Sequence, residues 1–491
     1  MMRLVNVARS IVPAVFLSLV VCSNIAFGQG AQQPLTPTSV VTGQCASQVK
    51  KPGCVLPSLF GPNGLTLFNS PVFSHFAHFT GSAQTTLNET LSTAIATQLA
   101  ILPIISPASG FTYKFESSSG IFVRSTASFG PIYTERAETI GRGKVSFGVS
   151  YQRFRFSNLD GLDLHKVPAV FSHIPNTGPP GFFETYEADV ISTVNNITLN
   201  MDQTTAYGTV GLTDRVDVSV AIPIVSVRMS ATSNATIVPV SGPTFIPGPG
   251  APPVPNPHSF DAQGSLSHLF STNGSASGIG DVTFRVKANI LRNDFLRMAL
   301  ALDVRTPTGD ALSLLGSGAT GIKPFVALST GTRFSPHLNV GYQWNGSSIL
   351  AGDVTGTTFG EDATGASTFQ TGTAVKHGLP GMFFYSVGAD YGATRRLTFA
   401  ADYLGQLLFD APRVFQNRFV TQNIPGGTGS LTLNNISGGK DNVGLNSGAV
   451  GMKLNLAGNL LLTADILFRL DNKGLRQDVT PLIGLSYALG K

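Results

Sequence analysis

The sequence has little charge. Only 12% of its 491 residues are Asp, Glu, Lys or Arg, about half of the roughly 25% usual in a soluble domain. Hydrophobic residues, at 42%, do not fill the gap, and 54 glycines together with many Ser, Thr and Asn residues take the place of charge. This composition is typical of a membrane barrel wall, whose outer face is apolar for lipid and whose inner face is moderately polar.

The sequence also lacks long apolar runs. No uninterrupted apolar stretch of about 18 residues follows residue 28, which excludes helical membrane spans. The net charge of +5 is spread thinly, with no block of Lys or Arg, and this excludes a nucleic-acid-binding surface. A soluble exported protein and a transmembrane β-barrel remain.

The amino terminus carries an export signal. Two arginines precede an apolar stretch at residues 11–21, and Ala26-Phe27-Gly28 places small residues at the positions that signal peptidase reads. We therefore expect residues 1–28 to be a signal peptide, cleaved before Gln29.

Cysteine is scarce, with three residues in the chain. Cys22 could carry a lipid, but Val21 is bulky where the lipidation motif needs a small residue. Removal of the signal peptide leaves Cys45 and Cys54, an even pair in an oxidising compartment. They either form a disulfide or remain two unrelated thiols.

Alternating apolar and polar residues predict strands. Residues 281–290 alternate with Val282, Phe284 and Val286 on one face and Arg285 and Lys287 on the other, and residues 296–305 repeat the pattern. Alternation over about ten residues fits a tilted strand that crosses a bilayer, and equally a half-buried strand of a soluble sandwich.

The lengths of the connections favour the membrane barrel. Short turns lie at residues 213–215, 292–294, 334–336, 392–396 and 457–459. Long polar stretches lie between the resulting hairpins, at residues 158–188, 230–280, 307–321, 345–381 and 410–445. Short periplasmic turns that alternate with long extracellular loops are the signature of an outer-membrane barrel. We predict an all-β fold, a transmembrane antiparallel up-and-down β-barrel of about 12 strands counted from Lys144, with both chain ends on the periplasmic side.

The region before the barrel is less regular. Residues 29–110 form a predicted extension in which residues 84–102 make an amphipathic helix, with Leu87, Leu91, Ile95 and Leu99 at helical spacing. This extension either plugs the lumen, lies in the periplasm or is a flexible leader. The barrel domain is predicted at residues 111–491, and a hairpin at residues 111–129 either adds two strands, making 14, or folds inside.

Ionisable residues on the inward phase of the predicted strands are candidate lumen residues. They are Arg285, Lys287, Arg297, Asp303, Arg305, Asp390, Asp402, Lys453, Asp465 and Arg469. Because both signs occur on neighbouring strands, these residues either pair across the lumen and fill it or line a selective constriction. Neither sign dominates, which argues against a pore for anions only or cations only.

Enzyme and cofactor signals are weak. No Gly-x-Ser-x-Gly nucleophile motif occurs, and Gly278-Ile279-Gly280 precedes a strand rather than a helix, which rejects a dinucleotide fingerprint. His75 and His78 have a metal-compatible spacing but no acidic or cysteine partner nearby, so we interpret them as surface histidines. We predict no enzyme activity, catalytic residue, cofactor or metal.

Six short strings resemble a known family. They are ETIGRGK (138–144), YGTVGLTDRVDV (207–218), AIP (221–223), GIGD (278–281), TPTGD (306–310) and LNVGY (338–342). In this order they resemble the outer-membrane family labelled as putative meta-pathway phenol-degradation proteins, often described as transporters. The resemblance implies a barrel and a link to aromatic or other hydrophobic compounds, and it implies no ring-cleaving chemistry.

The functional hypotheses follow from this fold. The first is an outer-membrane channel or transporter for passive passage of small, aromatic or hydrophobic molecules. The alternative is a closed barrel with a structural, adhesive or interaction role, and the third is an outer-membrane hydrolase. The expected partners are outer-membrane lipid, small-molecule solutes and the barrel-assembly machinery, with no nucleic acid, and a monomer is favoured.

Overall fold

The computed structural model describes most of the chain between residues 45 and 489, within the unit Thr42–Lys491. The described residues are 45, 50–60, 65–68, 79, 82–103, 106, 113–116, 121–124, 128–172, 188–240, 242, 244–245, 252, 254–256, 258–293, 295–352, 357–361, 367–371, 375–421 and 429–489. The signal peptide predicted at residues 1–28, and the residues His75 and His78, lie outside them.

One large antiparallel sheet of 14 strands dominates the described residues. In chain order its strands are β1 (Val145–Phe156), β2 (Val167–Ser172), β3 (Val190–Gly211), β4 (Val216–Val238), β5 (Ser267–Ile279), β6 (Thr283–Arg292), β7 (Arg297–Arg305), β8 (Gly321–Ser329), β9 (Phe334–Asn345), β10 (Met382–Gly392), β11 (Leu397–Val420), β12 (Thr432–Ala457), β13 (Leu460–Arg469) and β14 (Val479–Leu489).

Twelve of these strands close into a ring. The order of the paired strands is β4-β6-β7-β8-β9-β10-β11-β12-β13-β14-β1-β3, and β3 pairs with β4 to complete the circle. Strands β2 and β5 lie outside the ring order, because β2 pairs only with the start of β3 and β5 only with the end of β4. The prediction of a twelve-stranded barrel that begins after Lys144 is confirmed.

The remaining described elements are small. The helix α1 spans Ser82–Ile101, and short 3-10 turns lie at Pro52–Cys54, Leu164–Lys166 and Ile349–Ala351. Separate two-stranded ladders are Tyr113–Glu116 with Ile121–Arg124, Thr244–Phe245 with Val254–Pro255, Ser347–Ser348 with His377–Gly378, and Thr357–Glu361 with Ser367–Thr371. A three-stranded ladder joins Leu475–Arg476, Asn158–Leu159 and Leu162–Asp163. No helix in the described ranges is both long and apolar enough to span a membrane.

The connections give the barrel two different ends. Residues 212–215, 293–296, 330–333, 393–396 and 458–459 join neighbouring strands tightly at one end, which we call the short-turn end. The connections at the other end, the long-loop end, include residues 306–320 and 346–381. The hairpin predicted at residues 111–129 adds nothing to the wall, because Tyr113–Glu116 and Ile121–Arg124 pair only with each other among the described strands.

Three of the predicted long loops are wrong in part, and one of them, residues 158–188, contains β2. Strand β4 runs on to Val238 and β5 begins at Ser267, inside the predicted loop 230–280. Strands β11 and β12 similarly extend into the predicted loop 410–445. The outward positions of the β4 and β5 extensions are rich in Ser, Thr and Asn, so the lipid-facing pattern that identifies a membrane strand is missing from them.

Along β4 the apolar residues move from the outward face of the wall to the inward face. The outward positions nearest the short-turn end are Val216, Val218, Val220, Ile222 and Ile224. The outward positions farther along are Ser226, Arg228, Ser230, Thr232 and Asn234. The inward positions change in the opposite sense, from Asp217 and Ser219 to the buried residues Val227 and Met229. A polar outward face does not suit hydrocarbon, so this half of β4 extends beyond the membrane.

Neighbouring strands change at the same level. Phe154 of β1 pairs with Met201 of β3, which pairs with Val227 of β4, and all three side chains are buried on the inward face. One residue nearer the short-turn end, the outward register contains Arg153 and Asp202, which form an exposed ion pair at 2.7 Å. Beyond this level the strands enclose an apolar core of the kind found in soluble proteins.

The helix α1 lies in that core, and its predicted bounds are nearly those observed. Its buried residues Leu87, Leu91 and Ile95 belong to one hydrophobic cluster with Phe154 and Met201 of the wall. Two of its threonines are satisfied locally, since the hydroxyl of Thr93 donates to the carbonyl of Glu89 and the hydroxyl of Thr97 donates to the carbonyl of Thr93. Of the three locations predicted for the extension, the interior of the barrel is the one in which α1 packs.

Residues 50–60 complete this core. Cys45 and Cys54 are joined by a disulfide, and both are buried in the same cluster as α1. The backbone amide of Gly53 donates to the carbonyl of Leu312 at 2.7 Å, which attaches this segment to the loop between β7 and β8.

The exchange of faces predicts that neighbouring positions of β3 differ in their effect on stability. Leu199 is buried against Met229 and Phe156, whereas Thr198 is on the outward face. We expect Leu199→Ala to lower the free energy of unfolding by about 2–5 kcal/mol because it opens a cavity. The matched variant Thr198→Ala should change it by no more than about 0.5 kcal/mol. Denaturant unfolding in detergent, followed by circular dichroism, measures both, and equal losses would contradict the assignment of the faces.

Candidate functional site: the barrel lumen

Residues 128–144 run through the lumen at the short-turn end and lead directly into β1. We call residues 128–144 the plug segment. It is extended, without helix or ladder, and Phe129, Ile132 and Ala137 are completely buried. A buried segment without a neighbouring strand needs hydrogen-bond partners for its backbone, and the wall provides them.

Wall side chains bind the backbone of the plug segment. The amide of Glu135 donates to the side-chain oxygen of Asn339 at 2.7 Å, and the amide nitrogen of the Asn339 side chain donates back to the Glu135 carbonyl at 2.8 Å. Farther along, Asn289 donates to the carbonyl of Ala137 at 2.8 Å, and the Ala137 amide donates to the hydroxyl of Ser329. These side chains replace the partner strand that the segment lacks.

Glu135 is the main ionic contact of the plug segment. Its carboxylate accepts from Lys287 at 2.7 Å, from Arg285, and from the hydroxyl of Ser106 at 2.6 Å. Lys287 is 1% exposed, and its ammonium also donates to the carbonyls of Arg136 and Glu138. One lysine therefore binds three residues of the segment, Glu135, Arg136 and Glu138.

Two further ion pairs flank Glu135. Glu138 pairs with Arg297 and accepts from Ser329 at 2.7 Å. Arg136 lies 3.9 Å from Asp390. The plug segment therefore contributes both acidic and basic side chains to the charges of the wall.

A histidine and two aspartates lie beside the plug segment. The Nε2 atom of His337 is 2.7 Å from Asp402 and its Nδ1 atom is 3.5 Å from Asp390. Asp402 also accepts from the hydroxyl of Thr134 at 3.0 Å. Both ring nitrogens face carboxylates, which is the arrangement of a buried ion pair and not of a base directed at a hydroxyl nucleophile.

The ten candidate lumen residues fall into three groups. Those that contact the plug segment are Arg285, Lys287, Arg297, Asp390, Asp402, Lys453 and Asp465. Asp303 and Arg305 line a cavity next to it. Arg469 lies apart, at the long-loop end of β13, where it pairs with Asp478 at 2.8 Å.

The partners of these wall residues were not predicted from the sequence. Glu135, Arg136 and Glu138 lie before the first wall strand, where no alternation indicates their environment. The available signal was a short charged run, ERAE at residues 135–138, in a chain that is otherwise poor in charge.

A cavity of about 140 Å³ lies between the end of α1 and the plug segment. Tyr133 and Glu135 of the plug segment form one side, and Ile101 and Leu102 of the helix end form another. Wall residues around it are both apolar and polar. They include Phe325, Met382, Phe384 and Leu404, and also Arg285, Asp303, Arg305, Lys323, Gln343 and Gln406.

Two phenylalanines of this cavity meet edge to face. The ring centroids of Phe325 and Phe384 are 5.9 Å apart at an interplanar angle of 66°. The ammonium of Lys323 lies 5.2 Å from the centroid of Phe384, and the guanidinium of Arg285 lies 5.2 Å from that of Phe325. A cation over an aromatic face is attracted by the ring quadrupole, so this part of the wall holds charge and aromatic surface together.

The predicted family resemblance is confirmed for the central part of the chain. Residues 183–411 match the family described as "Putative MetA-pathway of phenol degradation", which is a little under half of the chain. Five of the six strings identified in the sequence lie inside this match, and ETIGRGK at 138–144 lies before it. No curated protein sequence matches the chain.

Several solved outer-membrane proteins are similar in structure. An outer membrane channel from Pseudomonas putida F1 has 12% identity and a TM-score of 0.40, over 72% of this chain and 99% of that one. A deletion mutant of the monoaromatic hydrocarbon channel TodX has 9% identity and a TM-score of 0.31, over 77% and 98%. A FadL homologue of Pseudomonas aeruginosa has 12% identity and a TM-score of 0.27, over 72% and 91%.

The strand pairings themselves define the class. A closed antiparallel barrel with tight turns at one end and an apolar outward band is an outer-membrane barrel. The family strings meet inside it. Gly141 of the plug segment lies so close to Gly211 of β3 that a Cβ at Gly211 would collide with the Gly141 carbonyl. The hydroxyl of Thr308 donates to the carbonyl of Gly280 at 2.7 Å.

The ion pairs of the plug segment predict a large effect of Glu135→Gln. This change leaves Lys287 and Arg285 buried without their shared counter-charge, and we expect it to lower the free energy of unfolding by about 3–5 kcal/mol. Adding Lys287→Met should remove part of that loss, so that the double variant loses less than the sum of the single variants.

The control for this prediction is the exposed pair of Arg153 with Asp202. Arg153→Gln should lower the free energy of unfolding by less than about 1 kcal/mol. Denaturant unfolding of the four variants in detergent measures the differences. Additive losses for Glu135 and Lys287 would show that the two residues do not act as a pair.

Proposed function

We propose that the protein is a passive outer-membrane conduit for small apolar or amphipathic molecules, aromatic ones among them. The observation that carries the proposal is the cavity inside the closed wall, in which the aromatic pair Phe325 and Phe384 faces the end of α1. Pockets that bind small organic molecules are mostly apolar, with a few polar groups that orient the ligand.

The filling of the lumen argues for selective passage rather than a wide aqueous pore. The helix α1 lies in the long-loop half, where its Leu and Ile side chains join an apolar cluster, and the plug segment fills the short-turn half. The apolar residues that α1 and the wall bury there favour an apolar solute over a large hydrophilic one. An apolar solute suits the helix surface, and it reaches the short-turn end when the plug segment shifts.

The contacts of the plug segment permit such a shift. Its backbone is bound by side chains such as Asn339, Asn289 and Ser329, and water can replace each of these hydrogen bonds. Moving the segment breaks no strand pairing of the wall. The family description, which concerns phenol degradation, agrees with an aromatic solute.

The second candidate function is a closed barrel with a structural or interaction role. The same filled lumen favours it, because the ion pairs of Glu135 and Glu138 hold the plug segment from both sides. We also expect the chain to be inserted by the barrel-assembly machinery and to act as a monomer.

Flux measurements separate the two functions. Vesicles with lipopolysaccharide in the outer leaflet resist diffusion of apolar solutes, so protein-mediated entry of benzyl alcohol can be seen above the background. We expect entry to rise with the amount of protein inserted, while entry of glucose stays at the background level. If neither solute enters faster than in vesicles with an unrelated closed barrel, the second candidate function holds.

Weakening the plug segment should open the lumen to ions. The double variant Glu135→Gln, Glu138→Gln removes both carboxylates that anchor it to Lys287, Arg285 and Arg297. A loss of about 3 kcal/mol raises an opening equilibrium by about two orders of magnitude. Planar-bilayer recordings should therefore show frequent openings in the double variant and rare ones in the unmodified protein. The surface variant Arg153→Gln is the control and should behave as the unmodified protein does.

A further inference from the structure

One arginine of the cavity has unused hydrogen-bonding capacity. Arg305 ends β7, and its side chain is 10% exposed. Its Nη2 atom donates to the side-chain oxygen of Asn345 at 2.9 Å. Its Nε and Nη1 atoms have no hydrogen-bond partner among the described residues. A buried guanidinium that is only partly bonded is costly.

The nearest carboxylate, that of Asp281, is hydrogen-bonded to other groups. Asp281 lies 3.9 Å from the Nε atom of Arg305, which is beyond hydrogen-bond distance. One oxygen of Asp281 accepts from the amide of Gly309, and the other accepts from the amide and the hydroxyl of Ser317 at 2.8 and 2.7 Å. Asp281 thus fixes the loop between β7 and β8, and Arg305 keeps its capacity for an additional acceptor.

The backbone opposite Arg305 leaves room for its planar head. Gly321 is its register partner on β8, and a Cβ there would lie 2.9 Å from the Nη2 atom and 3.2 Å from the Cζ atom. A glycine at this position therefore lets the guanidinium lie flat against the wall beside the cavity.

A second cation lies one inward position away. Lys323 follows Gly321 on the inward phase of β8, and its side chain is 28% exposed. Its partner Asp303 is shared, because Asp303 also binds Arg285 through both oxygens. The cavity lining has three cations, Arg285, Arg305 and Lys323, against two carboxylates, Asp303 and Glu135.

The aromatic pair lies next along the same wall. Inward positions of β8 run from Gly321, opposite Arg305, through Lys323 to Phe325, and Phe325 contacts Phe384. At a rise of about 3.3 Å per residue, the backbone of Lys323 is about 7 Å from that of Phe325, and the backbone of Gly321, beside Arg305, is about 13 Å from it. The spacing suits one acidic group separated from an apolar body by a short chain.

We propose that the cavity binds amphipathic organic acids, with the carboxylate at Arg305 and Lys323 and the apolar or aromatic body against Phe325 and Phe384. The proposal rests on the proposed function and names the substrate class of that conduit. A carboxylate accepts a charge-assisted hydrogen bond from the free Nε atom or from the free Nη1 atom. It also balances the excess cation of the lining.

Binding of two matched probes tests the proposal. We would titrate the full-length protein in non-ionic detergent with 4-phenylbutyrate and with its neutral analogue 4-phenylbutanol, and measure the heat of binding. Charged hydrogen bonds should make the acid bind roughly tenfold to a hundredfold more tightly. Arg305→Gln should abolish this preference and leave the binding of the alcohol unchanged, whereas Arg305→Lys should retain part of it.

Two further variants complete the test. Lys323→Met, at a partly exposed position, should weaken the preference for the acid. This variant tests the same site in the case that Arg305→Gln does not fold. Arg469→Gln is the matched control, because Arg469 is an inward arginine that does not line this cavity. It should keep the full preference.

The outcomes separate this proposal from the proposed function. Equal affinity for acid and alcohol in the unmodified protein overturns the acid site and leaves the conduit for apolar molecules standing. Binding of neither probe, together with no entry of benzyl alcohol into vesicles, overturns both. A preference for the acid that survives both Arg305→Gln and Lys323→Met places the acid group elsewhere and overturns the assignment.

Discussion

A buried stretch of backbone that has no neighbouring strand determines the chemistry of this lumen. Each amide and carbonyl of residues 128–144 must be hydrogen-bonded where water is scarce, and the polar and charged side chains of the wall meet that need. Lys287 bonds to Glu135 and to two carbonyls of the plug segment. The charge of the wall is thus largely complementary to the plug segment, which explains why both signs occur in similar numbers around it.

The strands could be predicted where the outer face of the wall meets lipid. There the alternation is strong, and the short turns at residues 213–215 and 292–294 fix the strand count. Prediction failed beyond the level of Arg153 and Asp202, because the apolar residues move from the outward to the inward phase. A polar outward face looks like a loop when the pattern sought is that of a membrane strand. The inward apolar residues Val227 and Met229 are the features of the sequence that indicate that β4 continues.

The wall residues of the candidate site could be predicted from the sequence, and the plug-segment residues could not. Inward residues such as Arg285 and Asp402 follow from the phase of their strands, which is a local property of the sequence. Their partners Glu135 and Thr134 are more than a hundred residues away in the chain, and no periodicity connects the two sets. The family strings contained part of the answer, because LNVGY includes Asn339, which binds Glu135. The strings looked like turn and strand-end signatures, and their association with the plug segment needed the three-dimensional fold.

The position of the cavity explains which molecules it suits. Toward the long-loop end the lumen is apolar and filled by α1, and toward the short-turn end it is ionic and filled by the plug segment. The cavity lies between them, bounded by Ile101 on one side and Glu135 on the other. A purely apolar molecule packs favourably only against the apolar surface near Ile101. A purely polar molecule is hydrogen-bonded only at the ionic surface near Glu135. A molecule with both characters matches both surfaces at once, and this match is the physical reason to expect an amphipathic solute at this level of the barrel.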